Sequence, residues 1–450
     1  MTDESSPVLP LAALREAAAV PSPLSSAAAS PSPSASPPTP TPDTTSVPAA
    51  KPVRASARPG RLIGVDLARG LAVFGMFAVH IGPEPSVGGP MGFLMEAARG
   101  RPANLFGVLA GFSLVIIMGR PRPHTGRAGR RAAVRIVIRS VALIALGYAL
   151  TALDTDIDVI LSAYGLLFLM VLPLYRLRAA TLALLAAAGA LLLPQILYAI
   201  RVALDEGSWG DTLISWDPLA RLTGTDGFVE LLFTGEYPVL TWAPFLLAGM
   251  AVARLDLNRP GIRARLAMVG TGLAVAGYGL SWLALHLVPG ALNMIASATD
   301  GGSASSAWWS DTVGEPYNAA STPLAWLLVA VPHSQTTFSI VGNTGVALVV
   351  LAGCLYIADR MPRLTRATAP IAAVGSMALT VYTLHVVALW LLTEVWYVPA
   401  ADSDTMAALP MLLAFIAGAA LLAVLWSARF RRGPLEYLLH TATLPARRVR

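Results

Sequence analysis

From Arg61 onward the chain alternates apolar runs, most of them roughly 17 to 28 residues long, with short charged joints. That alternation constrains the fold more than any other feature. Such runs match a hydrocarbon core of about 30 Å when helical. Of the 450 residues, 55% are hydrophobic and 13% charged, against about 25% charged in a soluble domain. A soluble core could not hold this much apolar surface without large exposed patches. The pattern predicts an all-α polytopic helical membrane protein of about ten transmembrane helices, with room for a re-entrant or eleventh segment.

The expected spans are 62–82, 104–119, 133–152, 158–175, 179–200, 238–254, 266–288, 336–358, 370–397 and 406–428. The second is the shortest and suits a re-entrant piece. The segment 323–332 is apolar but too short to cross, and is expected at the interface. The run 88–100 (GGPMGFLMEAARG) lacks phosphate-loop spacing and is expected to be a flexible outer joint.

Every second joint is basic. Arg120, Arg122, Arg127, Arg130 and Arg131 form the first of these joints, and Arg176 with Arg178 the next. Then come Arg254, Arg259, Arg263 and Arg265; Arg360, Arg363 and Arg366; and Arg429, Arg431 and Arg432. Basic joints mark the cytoplasmic side. The intervening joints are acidic: Asp154, Asp156 and Asp158; seven acids between Asp205 and Glu236; Asp300, Asp311 and Glu315; Asp402 and Asp404. The first outer joint departs from this, with Arg99 and Arg101 beside Glu84 and Glu96. Both termini are therefore expected in the cytoplasm. The outer tryptophans Trp209, Trp216, Trp308 and Trp309 fit either interfacial anchors or a working surface.

Residues 1–60 are crowded with Pro, Ser, Ala and Thr, which predicts a disordered tail. The body is expected over 61–440, with a cytoplasmic tail at 441–450. The net charge of +6 resides in scattered joints, so nucleic acid is not an expected partner; the lipid bilayer is. The single cysteine, Cys354, excludes an internal disulfide and a cysteine metal site, and no metal or tightly bound cofactor is expected. Nearly all basic residues are Arg in an Ala-, Pro- and Gly-rich chain, the bias of a high-GC bacterial genome.

Ionisable groups inside lipid cost several kcal/mol unless partnered, so each is a functional candidate. The first helix carries Asp66, Arg69 and His80. Asp66 and Arg69, three apart, share a face and suit an ion pair. Arg69 and His80 are nearly three turns apart, so they point the same way across a rise of ~16 Å. They are expected to face one shared cavity. His385 lies mid-helix after Tyr382, and a neighbouring hydroxyl is its expected partner. His333, before Ser334, Gln335 and Thr336, suits a polar lining. His124, His286 and His440 sit in joints or near helix ends and are not expected to act.

The spacing Arg69-x10-His80, with Arg61, Asp66 and Gly70, resembles the first-helix motif of the transmembrane acyltransferase superfamily. It is most similar to the heparan-alpha-glucosaminide N-acetyltransferase-like proteins and their bacterial YeiB-like relatives. NLFGVLAGFSL (104–114), ILSAYGLLFLM (160–170), EYPVLTWAPFLLAGMAVAR (236–254), PHSQTTFSIVGNTG (332–345), VGSMALTVYTLH (374–385) and RRGPLEYLLH (431–440) extend the resemblance over roughly 62–440. It implies transfer of an acyl group, acetyl first among them, from cytoplasmic acyl-CoA to an acceptor at the outer face of a bacterial plasma membrane. The acceptor class stays open among sugar, lipid and cell-wall component. The resemblance implies catalytic roles for His80, Asp66 and Arg69. Arg69 would hold acetyl-CoA phosphate, and Asn104, His333, Tyr382 and His385 would serve the substrates. In the lysosomal member the key histidine lies beyond the first helix beside a W-N-G stretch. This chain has no histidine from 81 to 123, so that mechanism does not transfer.

Two other functions fit the same residues. Buried Asp, Arg and His also suit a transporter's proton relay, although the sequence shows neither an inverted repeat nor paired broken helices. A scaffold would use the charges for packing alone.

Overall fold

The computed structural model describes residues 63–449 apart from 121, 156, 208, 218, 221–226, 300–302 and 398–404. The tail expected over 1–60 lies outside the described residues, as do Arg61, Asp156, Asp226, Asp300, Asp402 and Asp404.

The described residues form no strand, and the fold is all-α. The principal helices are α1 (Ile63–Ile81), α2 (Gly89–Ala98), α3 (Arg101–Met118), α4 (Gly126–Thr151), α5 (Leu161–Val171), α6 (Ala179–Glu206) and α7 (Val239–Ala253). They continue with α8 (Pro260–Leu287), α9 (Thr337–Arg360), α10 (Ala369–Ser376), α11 (Ala378–Trp390), α12 (Ala408–Arg429) and α13 (Pro434–Ala442). Eight helical stretches are long and apolar enough to cross a membrane. Gly227–Thr234 with α7 would make a ninth, bent by 60°. The remaining expected span is a shorter apolar element, Leu161–Arg176.

Two expectations change, and a third gains detail. The run after Gly88 is not a loose joint but α2, started by Pro90 and carried by Met91, Leu94, Met95, Glu96, Ala97 and Ala98, which are good helix formers. Gly100, at φ 67°, then bends the chain into α3. The 323–332 segment is packed into the protein on one side, with Leu324 70% exposed. Trp326, Val329 and Val331 are buried in a small apolar cluster with Ile295, Ala307 and Val313. Helix breaks are also present: the bend before α7, and Met377 between α10 and α11.

Small residues let the helices touch backbone to backbone, as expected where lipid supplies no hydrophobic drive between helices. A Cβ on Gly375 of α10 would stand 1.8 Å from the Asp66 carbonyl oxygen, and one on Gly249 of α7 1.8 Å from that of Val108. These contacts fix α1 against α10 and α3 against α7.

The joints segregate to two ends. At the basic end Arg254 donates to the carbonyl of Gly119, 2.7 Å away, and to that of Tyr175, so one guanidinium gathers two spent helix ends. Arg120 donates to Leu255 O (2.9 Å), Arg263 pairs with Asp359 (2.9 Å) and Arg131 donates to Val449 O (2.9 Å). At the acidic end the two exceptional arginines are internal staples. Arg99 bridges Glu84 and Asp311, the latter at 2.7 Å. Arg101 donates to Trp309 O (2.7 Å) and lies over the rings of Tyr278 and Trp309. Trp309 is thus a packing residue, whereas Trp216 is 77% exposed.

Candidate functional site

The α1 stripe exists, but its two ends open onto different cavities. Arg69 lines a cavity of about 340 Å³ toward the basic end. His80 lines one of about 1040 Å³ toward the acidic end. The expectation of one shared cavity is therefore corrected. Sequence periodicity placed both side chains on one face, yet the space between fills with the buried side chains of Phe77, Tyr382 and His385.

Arg69 is held twice. Its Nη1 lies 3.0 Å from Asp66 Oδ1, and its Nη2 donates to Ser113 Oγ at 2.8 Å. Ser113 Oγ in turn donates to Leu109 O at 2.6 Å. The guanidinium thus joins α1 to α3 while one side faces the smaller cavity.

His80 and His385 meet. His80 Nδ1 is 3.0 Å from His385 Nε2, with the ring planes within 10°. His385 Nδ1 lies 2.5 Å from the Tyr382 carbonyl oxygen, rather than near a hydroxyl as expected. A carbonyl only accepts, so His385 carries its proton on Nδ1. Neutral His385 then presents a bare Nε2, which accepts from His80 Nδ1–H. This leaves the lone pair of neutral His80 on Nε2, and no described protein group bonds that atom. A tilted contact from Phe77 (4.9 Å) and a T-shaped one from Tyr382 (5.0 Å) fix the His385 ring.

The larger cavity is markedly acidic. Glu84, Asp158, Glu236, Asp311, Glu315 and Glu394 line it, with Arg99, Arg201 and His333 as counter-charges. Arg201 donates to backbone carbonyls of Phe233 (2.7 Å) and Gly235 (3.1 Å), bracing the bend before α7. His333 Nδ1 lies 2.6 Å from Glu236 Oε1; the approach is off the ideal hydrogen-bond direction, so the contact is an ion pair first. Burial opposes the charged imidazolium, but Glu236, and behind it Asp158 and Asp311, outweigh burial and raise His333 above its ordinary pKa. His333 and Gln335 both sit at φ 59°, an uncommon conformation for side-chain-bearing residues. Gln335 holds the turn by donating to Glu236 O (3.0 Å) and accepting from Thr241 Oγ1 (2.9 Å).

The smaller cavity is lined by Arg69, Ser113, Arg139, Ser376, Tyr382 and Glu436, with apolar walls from Met76, Phe106, Leu109 and Phe168. Tyr382 stands at the partition with a buried hydroxyl whose approach to the Ile160 backbone is off line for a hydrogen bond.

A family model described as "Protein of unknown function (DUF418)" matches residues 304–446. That family is associated with membrane YeiB-like proteins. The matched stretch carries His333, Tyr382, His385 and Glu436, and leaves Arg69 and His80 outside. No curated protein matches the chain.

The structure brings together His80, His385 and the Tyr382 backbone, and separately Asp66 with Arg69. His333 shares the larger cavity with His80. Asn104 is buried on α3 and lines neither cavity. Sequence reasoning missed Glu236, Arg139, Ser113 and Glu436. For Glu436 a signal existed: Gly433-Pro434-Leu435-Glu436 is a helix start with an acid in its first turn.

Proposed function

We propose that the protein transfers a small acyl group to a hydroxyl or amine held in the larger cavity, with His80 as general base. The observation that carries this is the oriented histidine pair, whose one uncommitted ring nitrogen belongs to the residue lining that cavity. A base oriented by a second group, itself fixed by a third, is the arrangement nucleophile activation needs. Here the third group is a backbone carbonyl rather than a carboxylate.

The step balances without a further reactant. His80 Nε2 takes the acceptor's proton as the acceptor oxygen or nitrogen bonds to the acyl carbonyl carbon. The C–S bond of the thioester donor breaks, and the thiolate leaving group takes up that proton. Arg69 and Arg139 in the smaller cavity suit an anionic donor, and the apolar walls suit its arm. The histidine pair lies between the two chambers. The basic end faces the cytoplasm of a bacterial plasma membrane in this reading, both termini with it. Donor and acceptor then enter from opposite sides, and the Tyr382 and Phe77 side chains must swing aside for the acyl group to pass.

The second reading is a carrier. Two cavities separated by side chains and a bent span are what an occluded transporter would also show. Full-length protein in lipid discs, given radiolabelled acetyl-CoA, separates the two. Transfer or hydrolysis that falls at least ~100-fold in His80→Ala, with the variant folded, supports the enzyme. Wild-type protein that neither acetylates nor hydrolyses, but exchanges a solute across a liposome, sinks it.

A further inference from the structure

Helix α13 does something at the smaller cavity that acyl transfer alone does not require. Glu436 Oε1 accepts from the backbone N–H of Leu379 (2.8 Å) and Thr380 (3.2 Å), and Oε2 accepts from Thr380 Oγ1 (2.6 Å). Thr380 Oγ1 in turn accepts from Leu435 N (3.0 Å). The first turns of α11 and α13 therefore cap each other. Both helices direct their partially positive ends at the same place, and a free helix start of this kind binds anions.

The cavity around that point is cationic. Arg69 and Arg139 line it, and Glu436 is its one carboxylate among the described lining residues. Arg139 has no ion-paired or hydrogen-bonded partner among the described residues. An independent sign of a missing ligand lies deeper in. The Tyr382 hydroxyl, on a side chain 3% exposed, borders the same cavity, and its neighbour, the Ile160 backbone, meets it too far off line for a full hydrogen bond. A buried polar group left so is unfavourable, and a ligand carbonyl or amide would relieve it.

From these contacts we infer that the smaller cavity binds a phosphate ester with a largely apolar arm, and that Glu436 occupies the phosphate position until the ligand displaces it. α13 is then a latch. The arm lies along Met76, Phe106 and Leu109 and ends at Tyr382. The latch is held lightly: α13 has nine residues, and its Tyr437 and Leu438 are each 58% exposed. Gly433 permits its close seating, since a Cβ there would stand 2.2 Å from Glu436 Oε2 and 2.6 Å from Met377 Cβ. This inference deepens the acyl-transfer reading and names how its donor chamber is closed.

The test uses the full chain in phosphatidylcholine discs with coenzyme A as probe, binding read by calorimetry. Glu436→Gln should tighten coenzyme A at least tenfold, and Gly433→Ala, which lifts the latch without changing charge, should act in the same direction. Arg139→Gln and Tyr382→Phe should each weaken it severalfold. Hydrogen exchange of the wild type should quicken across 434–442 when coenzyme A is added. Two further arms identify the source of the phosphate. Inorganic phosphate alone should quicken that exchange only weakly. Phosphatidylglycerol discs that quicken it without coenzyme A, and then block coenzyme A binding, would assign the site to a lipid and overturn the arm assignment. Folded Glu436→Gln that binds no tighter than wild type overturns the latch. If that variant does not fold, wild-type exchange left unchanged by coenzyme A overturns it. Acetyl transfer is not read here, so binding without transfer sinks the enzyme reading alone, and transfer with an unaltered latch sinks only this one.

Discussion

Replacing Gly375 with alanine tests whether the α1–α10 contact is as close as described. The new Cβ would sit 1.8 Å from the Asp66 carbonyl oxygen and 2.6 Å from Gly70 N, where ordinary contact begins near 3.4 Å. Both neighbours are backbone, so neither rotates away, and the helices must part by roughly 1.5 Å. Overpacking of that kind costs about 1–3 kcal/mol, and the rigid partner places this site at the upper end. At roughly 2 °C per kcal/mol for a large domain, the melting temperature in detergent should fall by about 5 °C. Gly353→Ala is the control, since nothing lies within 4 Å of a Cβ there. It should be neutral or gain about 0.5–1 kcal/mol from helix propensity. Tryptophan-fluorescence melts of both variants decide the matter. Equal melting temperatures for the two would refute the backbone contact, and with it the placement of Asp66 and Arg69.

The His333–Glu236 pair gives a pH signature. The folded pKa of His333 is raised, so its stabilisation is complete below the ordinary value of 6.5 and is lost as pH rises through the folded value. Wild-type melting temperature should therefore fall above pH 6.5, and Glu236→Gln should flatten the profile; a slope unchanged in the variant refutes the pairing. Arg254→Leu should cost about 1–3 kcal/mol by leaving the Gly119 and Tyr175 carbonyls without a donor, a loss checked by thermal melts and by faster proteolysis at the basic joints. Tyr382→Phe without ligand should stay within about 1 kcal/mol of wild type, because the hydroxyl has only an off-line approach to the Ile160 backbone; a large loss in thermal melts would mean that this approach is a full hydrogen bond.

The sequence made the helical class and the two charged ends readable, because lipid-facing runs and basic joints are local signals. Arg99 and Arg101 were visible as exceptions, but not as staples, since Asp311 and Trp309 lie some two hundred residues away along the chain. The Arg69–His80 face was legible from helical geometry. Their separation was not, because Phe77, Tyr382 and His385 divide the space only when α1 and α11 pack together. The histidine pair joins residues 305 apart, and periodicity carries no information about such a meeting. The two helix breaks differ in this respect: Gly235 and Pro238 stand in the bend before α7 as local signals, whereas at the break between α10 and α11 the residue itself is Met377, which no local rule marks.

Helix α3 is attached at both ends to something that matters. Arg101 at its start carries the Trp309 segment, and Ser113, twelve residues on, grips Arg69. The rod between them is about 18 Å long at 1.5 Å per residue. One rigid helix therefore spaces the Arg69 anchor from the Trp309 segment, and a shift at either contact has to be met by tilt or translation of the whole rod.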